Sequence, residues 1–189
     1  MRHRIDHQIE CNLSIEHNEL VLKYTIVNSL ETSILLFDSL ICPFSKDHLP
    51  IAMPDFSTFV MDECLYLLGT PHKLPTSIQV FMPYPISFRE LKSGKSSTQV
   101  WRKKLPILER NIYFDNRLAK WEPIIVQSVI LRIGWIEKSA APEAVVSSNR
   151  NCILSVVPHE INVFEVVSPA PEGLLCASRA DIFDRFGLP

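Results

Sequence analysis

The sequence predicts an all-β fold: an antiparallel sandwich of about nine short strands with one short C-terminal helix. Three observations carry that expectation. Apolar residues recur with a period of two. Fourteen prolines against five glycines suit extended segments joined by rigid turns. Helix-period segments between strands, which a parallel α/β sheet needs, are missing. At 189 residues with 47% hydrophobic and 21% charged, the chain has the material for one large buried core.

Residues 1–7 are polar and read as a flexible N-terminal segment. In 8–16, Ile9, Cys11, Leu13 and Ile15 fall on one side and Gln8, Glu10, Asn12, Ser14 and Glu16 on the other, the mark of a half-buried strand. A polar break at His17-Asn18 precedes a second alternating run, with Leu20, Leu22, Tyr24 and Ile26 on one face, so the pair predicts a hairpin. A polar turn over 28–32 leads to a third strand at 33–37. Further strands are expected at 63–68, 77–82, 98–105, 127–137, 151–157 and 160–167, the last two closing a hairpin around Pro158-His159.

The helix is expected at the end. Ser178 to Asp181 has capping-box spacing, Ile182, Phe183 and Phe186 make an apolar face, and Gly187 before Pro189 is a stop signal. The layout is then a flexible N-terminal segment (1–7), a sandwich domain (8–167) and a C-terminal extension bearing the helix (168–189). No secretory signal or membrane-length apolar run is visible, since Arg132 interrupts the nearest one, 129–136. The chain therefore reads as soluble and cytoplasmic.

The turn Val27-Asn28-Ser29 before the apolar Ile34 to Asp38, together with the turn Leu91 to Gly94 before a strand, gives the stretch 8–137 its likeness. It resembles bacterial immunoglobulin-like sandwiches, without the Cys…Trp…Cys spacing of antibody domains. The resemblance implies binding rather than catalysis, although a fold never settles function.

Several motifs invite chemistry, and each has a plainer account. Gly94-Lys95-Ser96-Ser97 ends like a phosphate-binding loop, but the glycine needed five residues earlier is Arg89 and no helix follows, so the segment reads as a turn feeding a strand. His3 and His7 have helical i, i+4 spacing in a terminal segment that also carries Arg2 and Arg4, which oppose a metal. His17, His48, His72 and His159 fall in turns. Asp62-Glu63 are adjacent acids that alternate faces, and the acids Asp38, Asp47 and Asp55 belong to a solvated loop. Neither a metal nor a cofactor is expected.

The five cysteines are odd in number and widely spaced, which is neither a disulfide framework nor a zinc pattern. Cys42 and Cys176, placed outside the expected strands, are the only candidates for the nucleophile of a cysteine-dependent hydrolase.

Charge is distributed unevenly. Residues 89–120 hold nine of the nineteen Lys and Arg residues and three acids, a net +6 against −8 for the remainder. Trp101, Tyr113, Phe114 and Trp121 are interleaved with these cations, a composition suited to an anionic partner or nucleic acid. Alternation opposes a single patch, because Trp101 and Lys103 share one strand face while Arg102 and Lys104 share the other.

Two long connections, 38–62 and 106–126, are candidate binding loops; strand parity places them at opposite ends of the sandwich. The expected role is a non-enzymatic protein-interaction module, binding a protein partner or a second copy through a sheet edge, a loop or the final helix. The candidate contact residues are Arg102, Lys103, Lys104, Arg110, Arg117, Trp121, Ile182, Phe183 and Phe186. Nucleic acid is the alternative ligand, and no membrane role is expected.

Overall fold

Alternation in the first two strands becomes a complete ladder. β1 (Ile9–Glu16) and β2 (Glu19–Val27) pair antiparallel, from Ile9 opposite Ile26 to Glu16 opposite Glu19. His17 and Asn18 form the connecting turn, both at positive φ (50° and 64°), which matches the right-handed twist of a tight hairpin. The computed structural model describes residues 9–38, 40–42, 51–53, 56–69, 86–109, 121–140, 145–146, 152–154 and 161–179.

The next strands are β3 (Ile34–Leu36), β4 (Leu40–Cys42), β5 (Ile51–Met53), β6 (Ser57–Met61) and β7 (Cys64–Gly69). They are followed by β8 (Ile86–Leu91), β9 (Ser96–Lys104), β10 (Ile107–Leu108), β11 (Trp121–Ile125) and β12 (Ser128–Glu137). After a 3-10 turn at Lys138–Ala140 come β13 (Val145–Val146), β14 (Cys152–Leu154), β15 (Asn162–Pro169) and β16 (Leu175–Arg179).

These strands form several sheets and no barrel. One sheet has the order β1-β2-β9, and the largest runs β13-β14-β8-β3-β12-β7-β6, with β15 also on β12. A small sheet has the order β10-β16-β11, and β4 pairs with β5.

The structure corrects the sequence reading at several points. Strands are more numerous and shorter than the nine expected, and among the described residues two pairings are parallel: β7 with β12 and β10 with β16. The presumed loop 38–62 contains β4, β5 and β6, and 106–126 contains β10 and β11, so the parity argument about their ends fails. The expected closing hairpin also fails, because β14 pairs with β13 and β8 while β15 pairs with β12.

Ser178 and Arg179, where the helix cap was expected, are the last residues of β16; residues 180–189, with the rest of that helix, lie outside the described residues. So do the strand expected at 77–82, the turn at Pro158-His159, and His3, His7, His48, His72 and His159. Among the described residues, no helix is long and apolar enough to cross a membrane.

One apolar core lies between the β1-β2-β9 sheet and the largest sheet. Leu20, Leu22, Tyr24 and Ile26 of β2 and Trp101 of β9 join Ile34, Leu36, Leu65, Leu67, Leu131 and Ile133 in it. Phe56 bridges the layers edge-on, 5.9 Å from Tyr24 and 5.7 Å from Trp101 between ring centroids. Leu174 and Cys176, beyond the boundary drawn at residue 167, are fully buried in the same core.

Two crossovers connect these layers. β2 passes to β3 through 28–33, and β8 passes to β9 through 92–95, each changing sheet. Asn28, fully buried, ties the two crossovers together. Its Nδ2 donates to the carbonyls of Thr32 (2.9 Å) and Leu91 (3.0 Å), and its Oδ1 accepts from the Leu30 N–H (3.1 Å). Its backbone accepts from the Gly94 N–H and donates to the Lys95 carbonyl, both at 2.9 Å. Gly94 sits at φ 65°, a conformation only glycine adopts without cost, and the Lys95 N–H is bonded to the Lys92 carbonyl. The Gly94 and Lys95 N–H groups are thus committed within the fold, and the segment leads into strand β9 and not into the helix that a phosphate-binding loop needs.

A second device bends the chain between sheets. β12 pairs with β15 from Ser128 opposite Pro169 to Trp135 opposite Asn162, and β11 pairs with β16 from Ile125 opposite Leu175 to Trp121 opposite Arg179. The two ladders form one long ribbon interrupted at 126–127 and 170–174. Across that interruption the Ala170 N–H donates to the Gln127 carbonyl and the Val126 N–H to that of Leu174. Val126 turns inward while Gln127 stays exposed, as at a β-bulge.

Candidate interaction surface

The buried polar groups have structural employment. Asp38, 1% exposed, follows β3 and accepts from the Tyr24 hydroxyl at 2.8 Å. Arg89 of β8 reaches both oxygens of the same carboxylate through Nε (2.9 and 2.8 Å), while its Nη1 donates to Ser97 Oγ of β9 at 2.7 Å. Burial alone would lower the Arg89 pKa; the hydrogen bonds and charge of Asp38 more than offset that and raise it. Burial first, then the Asp38 charge and hydrogen bond, push the Tyr24 phenol well above its ordinary value. Asp38 is therefore an anchor between layers and not the solvated loop acid that its sequence context suggested.

Glu109 plays a similar part at the edge of the largest sheet. Its Oε1 accepts the Val60 N–H at 2.7 Å, and its own N–H donates to the Ala177 carbonyl at 3.1 Å. Thr58 Oγ1 donates to the Leu108 carbonyl at 2.6 Å. The outer edge of β6 is thus fastened to the β10 segment by side chains.

The cysteine reading meets two corrections: Cys42 lies in β4 and Cys176 in β16, where alternation turns the Cys176 thiol into the core. Burial, with a smaller effect from Glu109, pushes that thiol up to about 12, the opposite of an activated nucleophile. Cys176 is expected to resist a thiol reagent at neutral pH in the native protein and to react on unfolding, checked by mass mapping of labelled peptides. Rapid native labelling at Cys176 would contradict its burial. Among the described residues, no group of three or more His, Cys, Asp or Glu side chains could hold a metal ion.

The basic segment is dispersed. Trp101 is buried in the core, Arg102 and Lys104 are exposed on the outward face, and Lys103 lies half-buried with Nζ 6.0 Å from the Trp101 ring centroid. Arg102 stands opposite Val21 and reaches across β2 to Glu16 of β1 at 3.1 Å. That contact, with help from Ser14, holds the Glu16 carboxyl below its ordinary value. Arg89 is committed to Asp38. Trp121 lies half-buried in a different sheet, on the face it shares with Pro123 and Ile125, the latter 67% exposed. Arg110, Arg117, Ile182, Phe183 and Phe186 lie outside the described residues.

A different surface emerges on the outward face of the largest sheet. Phe59 of β6 is the Cα partner of Tyr66 of β7, which partners Ile130 of β12, which partners Val167 of β15. The four form one row across four strands. Phe59 and Tyr66 stack with centroids 4.4 Å apart and planes 8° from parallel, and Val167 is 60% exposed. In the next row Arg132 of β12 donates through Nε to the carboxylate of Glu165 on β15. At the other end of this face Leu35, Phe37, Phe88 and Ile136 form a second buried cluster, with half-buried Ile161 against it. The side chains of this face are therefore buried at one end and exposed at Val167.

This row was not among the residues singled out from the sequence. The signal that could have found it is β12 itself, whose run from Ser128 to Glu137 is apolar on both alternating faces except at Arg132 and the ends. A strand apolar on both sides belongs to a sheet with something on each face. No family model, curated protein or solved structure matches this chain.

Proposed function

We propose that this chain is a non-enzymatic protein-interaction module on an immunoglobulin-like β-sandwich, with its contact surface on the outward face of β6, β7, β12 and β15. The sandwich reading is supported by a single core between two sheets and by the paired crossovers that Asn28 ties together. The observation that carries the functional reading is the apolar row Phe59, Tyr66, Ile130 and Val167, half-buried in its first three members and exposed at Val167. Contiguous apolar surface rimmed by polar groups is costly in water and marks interaction sites. The nearby polar clusters, by contrast, are committed to holding the layers together.

The test is affinity capture from a lysate of the native host at low and moderate salt, with the wild-type chain and Val167→Glu side by side. The expected result is a specific protein retained at moderate salt by the wild type and lost from the variant. Nucleic acid that binds at low salt and elutes as salt rises would overturn the reading in favour of the basic segment.

A further inference from the structure

Resting on the interaction reading, we propose that the partner at this face is a second copy of the chain, packed sheet to sheet about a two-fold axis that runs along the strands between β12 and β15. The register supplies the argument. Ile130 stands beside Val167 and Arg132 beside Glu165, one of each pair on either side of that line. A two-fold rotation about it lays β12 of one copy over β15 of the other at the same height. Val167 then meets Ile130 of the second copy, and Glu165 meets Arg132, twice over by symmetry.

The charges are what favour a copy over an unrelated protein. Arg132 and Glu165 retain 33% and 44% side-chain exposure, enough to meet a facing group. Under the rotation, two cations and two anions form a neutral cluster in which every contact across the interface joins unlike charges. The formal net charge of the chain, −2, adds little repulsion between copies. Aligned packing of two sheets about 10 Å apart seats Ile130 against Val167 on both sides of the axis, while Tyr66 and Phe59 flank the contact beyond β12. Val163, 47% exposed on the same face of β15, extends the contact along the strand.

The experiment is sedimentation equilibrium of the full chain, wild type and two charge-reversal variants, Arg132→Glu and Glu165→Arg. The wild type is expected to move with concentration from the 21.6 kDa of one chain toward twice that mass. Each variant alone places like charges against each other across the axis, and its dissociation constant should rise about a hundredfold or more. An equimolar mixture of the two variants restores unlike pairs at both contacts and should associate again.

That rescue separates an interface from a folding defect, since each variant breaks the same intrachain pair whether alone or mixed. A wild-type chain that stays at monomer mass throughout overturns the proposal, as do single variants that associate like the wild type, or a mixture that does not recover. If the wild type is monomeric while Val167→Glu still loses a captured protein, self-association falls and the interaction reading stands.

Discussion

Replacing Asp38 with alanine is expected to cost about 3–5 kcal/mol of folding stability, the range for removing one partner of a buried ion pair. The carboxylate is almost inaccessible and receives the Tyr24 hydroxyl as well as the Arg89 guanidinium. Its removal strands a cation and a phenol between two layers. Urea unfolding of Asp38→Ala measures the loss, and a change under about 1 kcal/mol would show that solvent reaches the site easily. The double variant Asp38→Leu with Arg89→Met should lie much closer to the wild type, because no charge is then left unpaired.

The same network has a pH signature. The Tyr24 phenol is raised in the folded state, chiefly by burial and then by Asp38. A raised folded value means that its contribution is fully present below the ordinary phenol value of about 10 and is lost as pH rises above it. Stability should therefore fall in alkali, and Tyr24→Phe should flatten that fall. Cys176, pushed up to about 12, adds to the alkaline slope with the same sign.

The second large effect is expected at Asn28. Asn28→Ala removes three side-chain hydrogen bonds, two that shape the first crossover and one that ties it to the end of β8, and leaves the buried Leu91 carbonyl without its side-chain donor, a loss of about 2–4 kcal/mol. Asn28→Asp keeps the acceptor for the Leu30 N–H but sets a carboxylate against the Thr32 and Leu91 carbonyls. At neutral pH it should be at least as damaging as alanine. Because protonation restores a donor, the deficit of the aspartate variant should shrink as pH falls through the carboxyl range, whereas that of the alanine variant should not. Equal pH profiles for the two would remove the hydrogen-bond account.

Much of the local structure was legible in the residues. The alternation of Ile9, Cys11, Leu13 and Ile15 against Leu20, Leu22, Tyr24 and Ile26 predicts the hairpin whose ladder pairs those residues. The same alternation separates Trp101, in the core, from the exposed Arg102 and Lys104. It also led astray. Loop-like composition around Asp38 hid its burial, and the short β10 and β11 carry too little pattern to stand out from the segments beside them.

Periodicity alone determined that this chain is built from strands and which side chains of each strand share a face, because a pleated backbone alternates whatever it pairs with. Tertiary structure alone decided which strands are neighbours: the parallel pairing of β7 with β12, the bend from β12 into β11, and the row from Phe59 to Val167. Neighbours in a sheet can be far apart in sequence, and a pairing between them is selected by the whole core. Tyr24, Asp38 and Arg89 meet for the same reason, since the charge of one residue is made tolerable by another 51 positions away.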